Sequence, residues 1–177
     1  MKRDARSAFS LVEIVLAIGI IGFALVTIMA LLPVGAGSNQ DSAEATRAAG
    51  ILTLLEADLR NTHPFSNNGK SRLFGLPLPY AVVAGNVALN SSLPTNVAET
   101  AGLDDAENPV PSPVTGLTPY QASVIYTQVP TNASGPAPIL ARLVVGWPAR
   151  SGATVTDLTD ASKIRGYVET CTSFPAP

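Results

Sequence analysis

From Ile14 to Leu32 the chain runs for nineteen residues without a charged side chain. A stretch of that length has the span of a membrane-crossing helix, and it excludes a wholly soluble globular protein. The chain is 46% hydrophobic and 14% charged, against roughly 25% charged residues in an average soluble domain. Most of that apolar excess sits in this one run. Without it, an ordinary and rather polar sequence remains, long enough for one modest domain.

The flanks orient the run. Lys2, Arg3 and Arg6 precede it, and no Lys or Arg follows until Arg47. The positive-inside bias therefore places the N-terminus in the cytoplasm and residues 38–177 on the far side. A helix from Phe9 to Leu32 would be about 36 Å long, enough for a hydrocarbon core of roughly 30 Å.

Three readings compete. A secretory signal peptide has an apolar core of about 7–15 residues and a small-residue cleavage site, which Val34-Gly35-Ala36-Gly37 mimics, but this run is longer. A plain anchor helix fits the length. Neither accounts for Glu13, a carboxylate where the helix enters the membrane, a position where an ionisable group is costly and points to function.

The stretch Ala8-Phe9-Ser10-Leu11-Val12-Glu13, with a basic leader before it and about twenty apolar residues after it, resembles the type IV pilin family, which includes minor pilins and type II secretion pseudopilins. The resemblance implies cleavage between Ala8 and Phe9 by a prepilin peptidase and N-methylation of Phe9. It also implies that the Glu13 carboxylate meets the Phe9 ammonium of a neighbouring pilin or pseudopilin subunit. The family usually has Gly where this chain has Ala8. A charge alone in low dielectric is costly, and pairing offsets part of that cost while setting register between subunits. On this resemblance residues 1–8 are the leader that cleavage removes. Removing residues 1–8 takes away three basic side chains and one acidic one, so the formal side-chain charge moves from −2 to −4. The Leu31-Leu32-Pro33-Val34-Gly35 continuation and the Trp147-Pro148 strand end are similar to pilin-like cassette proteins of Verrucomicrobia.

Pro33, Gly35 and Gly37 predict a kink or unwound stretch after the apolar run. Helix is then expected to resume, with Ser38 and Asp41 near a capping-box spacing. Ala48, Ile51, Leu52, Leu55 and Leu59 recur at three- and four-residue intervals, an amphipathic face that Leu54 broadens, with Arg47, Glu56, Asp58 and Arg60 toward water. His63-Pro64 ends it. As one rod, residues 9–62 would approach about 80 Å, similar to the long first helix of pilins.

The expected layout is a leader at 1–8, a transmembrane assembly helix at 9–33, its amphipathic second half at 38–63, a Pro-rich variable region at 64–120, and a globular antiparallel sheet at 121–177. The fold class is α+β, a long N-terminal helix packed on a small antiparallel sheet. Seven prolines between Pro77 and Pro119 make the middle mostly loop, with short strands at 80–83 and 87–89 and a polyproline-like stretch at Pro109, Pro111 and Pro113. Strands are expected at 123–129, 139–147 and 164–171, separated by polar turns at 132–138 and 151–162.

Little chemistry is on offer. His63 is the only histidine and Cys171 the only cysteine, so there is no two-histidine metal centre and no internal disulfide. Asp104, Asp105 and Glu107 lack the regular oxygen spacing of a calcium loop and read as a solvated run. Trp147 reads as a packing residue and Cys171 as an inert sheet residue. Asn90-Ser91-Ser92 and Asn132-Ala133-Ser134 match glycosylation sequons, short patterns that arise often by chance. No nucleophile elbow, phosphate loop or zinc motif is present, so the chain is read as a non-enzyme without cofactor or metal. The net charge of −2 supplies no basic surface for nucleic acid. The expected partners are the prepilin peptidase, the inner membrane and other subunits. The alternative reading is a membrane-anchored extracytoplasmic binding module that never polymerises.

Overall fold

The structure, a computed structural model, describes residues 10–104, 106, 108–110, 118–129, 138–149, 160, 162 and 164–175. It is α+β: one long helix, α1 (Leu11–Asn61), and an antiparallel sheet. The chain divides into two compact units, residues 1–42 and 43–177.

In the first unit, Ser10 opens α1. Its carbonyl accepts the backbone N–H groups of Glu13 (3.0 Å) and Ile14 (3.2 Å), and its hydroxyl lies 3.4 Å from the Glu13 nitrogen. Ser10 and Glu13 thus stand at the spacing of a capping box. Between Leu11 and Leu32 every large apolar side chain is at least 51% exposed. Thr27 is satisfied within the helix, its hydroxyl 2.9 Å from the carbonyls of Phe23 and Ala24. A segment with exposed apolar side chains and internally bonded polar groups suits lipid rather than water.

Of the kink or unwound stretch that Pro33, Gly35 and Gly37 predict, the unwinding is absent: residues 33–37 are helical and α1 is continuous. A single proline removes one N–H from the ladder, and glycine costs about 1 kcal/mol relative to alanine. Many intact turns on either side of these positions carry the helix through. Ser38 and Asp41 are accordingly mid-helix rather than a cap, and the Ser42 hydroxyl bonds back to the Ser38 carbonyl at 2.9 Å.

In the second unit, Ala48, Ile51, Leu52, Leu55 and Leu59 form the buried face of α1, as their spacing predicts. Two neighbours differ from expectation. Leu54 is half exposed and does not widen that face, because it lies on the flank of the buried stripe rather than within it. Asp58 is buried rather than turned to water, for a reason given below.

Among the described residues the sheet has five strands in the order β4-β3-β5-β6-β7: β3 (Ala98–Leu103), β4 (Pro109–Val110), β5 (Tyr120–Gln128), β6 (Ile139–Trp147) and β7 (Gly166–Phe174). All neighbours are antiparallel. β6 has the predicted bounds, while β5 starts earlier and β7 runs later than the sequence pattern suggests. Two strands come from the region read as mostly loop. β3 pairs over six positions with β5, from Ala98↔Ile125 to Leu103↔Tyr120, and β4 pairs with β3 through Gly102↔Val110 and Leu103↔Pro109. The sheet therefore begins well before residue 121. Pro109 lies at an edge strand, where a missing N–H is tolerated. Pro111, Pro113 and most of the two expected polar turns lie outside the described residues.

The core joins the α1 face to Leu103, Val124, Tyr126, Leu143, Val145 and Phe174. Ile125 and Val144, with Ala98 against them, form a smaller cluster. A separate hairpin, β1 (Tyr80–Val83) and β2 (Asn86–Leu89), turns at Ala84-Gly85, both with positive φ (48° and 82°), as a tight hairpin with right-handed strand twist requires. Tyr80 ties this hairpin to the end of the sheet strand, its hydroxyl donating to the Pro175 carbonyl at 2.8 Å.

Candidate functional site

Glu13 is the only charged residue between Ser10 and Gln40. It shares a shallow groove with Ile14, Ala17 and Ile18, and its carboxylate has no partner among the described residues. Its backbone is fixed by Ser10, so the helix start holds a lone carboxylate one turn into an apolar surface. The cleavage and methylation positions, Ala8 and Phe9, lie outside the described residues. Sequence reasoning missed the capping role of Ser10, although the Ser-x-x-Glu spacing was there to be read.

The second arrangement lies at the end of α1. Asp58 Oδ1 accepts the N–H groups of Arg72 (3.2 Å) and Leu73 (3.1 Å), and Oδ2 accepts those of Leu73 and Phe74, both at 3.1 Å. The Thr62 hydroxyl adds a bond to Oδ1 at 3.0 Å. A buried carboxylate is tolerated when its lone pairs are filled in this way, which is why Asp58 leaves water. The turn at Asn67-Asn68-Gly69, all with positive φ, returns the chain to bring these amides against the helix. Above them a cleft of about 580 Å³ contains Leu54, His63, Arg72 and Leu73. Leu73 is 55% exposed and Leu54 50%. The guanidinium of Arg72 has no partner among the described residues.

A polar tie joins α1 to β7. Glu56 accepts from the Thr172 hydroxyl at 2.9 Å and from Arg60 at 2.9 Å, and Arg60 also donates to Thr172 and lies over the Phe174 ring. The Thr172 hydroxyl, and then Arg60, hold the Glu56 carboxyl below its ordinary value.

The remaining sequence candidates stand apart from these arrangements. His63 is exposed, stacked on Phe65 at 5.4 Å, with its Nδ1 accepting the Phe65 N–H. Cys171 is exposed on β7. Asp104 closes a local turn on the N–H groups of Asn108 and Ala106, and the Asn108 amide is the main influence lowering its pKa. Asp105 and Glu107 lie outside the described residues. Among the described residues no group of three His, Cys, Asp or Glu side chains could hold a metal ion. Trp147 is buried against Tyr120 and Gly166, in the packing role its sequence context predicts.

The fold and these sites define a class: an α+β protein with one N-terminal helix long and apolar enough to cross a membrane. No protein-family model, no curated protein and no solved structure matches the chain.

Proposed function

We propose that this chain is a pilin-like structural subunit: a pilin, minor pilin or pseudopilin. It inserts in the inner membrane with its N-terminus in the cytoplasm, is processed by a prepilin peptidase between Ala8 and Phe9, is methylated at Phe9, and assembles into a type IV pilus or a type II secretion pseudopilus-like filament. The observation that carries this reading is Glu13, a carboxylate without a partner among the described residues, at the start of a helix surface of exposed apolar side chains. A plain anchor has no use for a charge there, and burying it alone is costly. Cleavage before Phe9 would create an ammonium about one helical turn from position 13, giving a neighbouring subunit's Glu13 a partner in low dielectric.

Substituting Glu13 by Ala or Leu tests the reading. Filament incorporation is expected to fall sharply while membrane insertion is retained, because a neutral side chain is cheaper to insert. Incorporation at the wild-type level would favour the non-polymerising binding module instead.

A further inference from the structure

Resting on that assembly reading, we propose that Glu13 of one copy also pairs with Arg72 of a second copy, seating the start of the apolar helix in the Leu54–Leu73 cleft. Two observations point to this pairing. The first is charge: Glu13 and Arg72 are opposite charges, and neither side chain has a partner among the described residues. Arg60, Arg142 and Arg165, by contrast, are each in an ion pair with a glutamate. The second is the apolar setting of both charges. Glu13 stands beside Ile14, Ala17 and Ile18. Arg72 stands beside Leu54 and Leu73, each at least half exposed in a cleft of about 580 Å³.

Arg47 and Lys70 are the other exposed cations without a partner among the described residues, and neither lines this cleft. The Asp58 carboxylate, which also lines the cleft, is filled by backbone amides and the Thr62 hydroxyl, so the Arg72 guanidinium is left to an incoming anion. The same Asp58 bonds fix the backbone of Arg72 and Leu73, so the cleft wall is preformed rather than ordered on binding, which lowers the entropic cost of docking. A carboxylate offers about four lone-pair sites, enough to accept both a Phe9 ammonium and a guanidinium. Opposite charges beside matching apolar surface select one register of neighbouring copies and disfavour others.

The test uses the full chain in membranes with its assembly machinery, measuring incorporation into sheared filaments for the wild type, Glu13→Gln, Arg72→Gln and the double variant. Each single substitution is expected to lower incorporation roughly tenfold or more, the scale of a close interfacial charge pair, with Glu13→Gln the more severe because it also loses the Phe9 contact, and the double variant to be no worse than Glu13→Gln alone. In a Cys171→Ser background, Ile18→Cys and Leu73→Cys are expected to cross-link neighbouring copies in filaments but not in dispersed monomers. The Arg72 side chain is exposed, and its backbone N–H is the group that Asp58 holds, so folding is preserved, as circular dichroism will verify. Wild-type behaviour of Arg72→Gln would overturn the pairing, and so would independent, multiplying losses in the double variant. If the wild type itself never enters filaments, the assembly reading fails and takes the pairing with it.

Discussion

Both carboxylate oxygens of Asp58 accept the backbone N–H of Leu73, each at 3.1 Å. This fork, with the flanking bonds from Arg72 and Phe74, clamps the returning loop to the last turns of α1. Asp58→Ala would leave buried amides without an acceptor. We expect a loss of about 2–4 kcal/mol, given the usual penalty for unsatisfied buried groups. Asp58→Asn keeps one accepting oxygen and should fall between the two. Denaturant midpoints of the detergent-solubilised chain measure both.

Gly166 faces the ring of Trp147 so closely that an added Cβ would lie 2.3 Å from Cζ2. Gly166→Ala must therefore displace the indole or the strand, at a cost of about 1–3 kcal/mol. At Gly102 the nearest atom to an added Cβ is the Thr118 methyl, at 3.2 Å. Gly102→Ala should cost distinctly less, and a pair of thermal melts orders the two.

Glu56 gives the fold a pH dependence of known sign. The Thr172 hydroxyl and Arg60 hold its folded pKa below the ordinary 4.5. The unfolded state thus binds the proton more readily, and the stabilisation is fully present above about that value. It is lost as pH falls through the lowered folded value. Its share is small, because the Glu56 and Arg60 side chains are 35% and 40% exposed and screened by water. In melts recorded from neutral to acid pH, Glu56→Gln should lower the neutral plateau slightly, flatten the acid-side decline and converge with the wild type at the acid end.

The membrane assignment of the apolar half of α1 makes its own demand. Leu25 sits near the middle of the uncharged run. Leu25→Arg should cost about 2.5–3.5 kcal/mol in insertion, enough to lower the membrane fraction in a glycosylation-mapping or alkaline-extraction assay. An unchanged membrane fraction would show that this segment does not cross the bilayer.

What the sequence made legible followed from periodicity. The Ala48–Leu59 face and the Ile139–Trp147 strand carry their apolar positions at the spacing of their element, and both are found as read. β3 was hidden because Ala-Glu-Thr-Ala-Gly-Leu has neither β-branched density nor clean alternation. It is held by its ladder with β5, a non-local partner that no window of sequence displays. Asp58 was misplaced for a similar reason: its acceptors are filled by amides fourteen to sixteen residues later, brought back by the turn at 67–69. Pro33 did not unwind the chain, since a local breaker was outweighed by the long helix on both sides. At the candidate site, the unusual placement of Glu13 was plain from its isolation in the chain. Arg72 was not, because its interest comes from Leu54 and Leu73 converging in space.

The most direct test of the account is the mass and N-terminal sequence of the chain recovered from the membranes of cells that carry the assembly machinery. The account predicts a chain that begins at Phe9, carries an N-methyl group and has lost residues 1–8. An N-terminus still at Met1, or one beginning near Ser38, would contradict it.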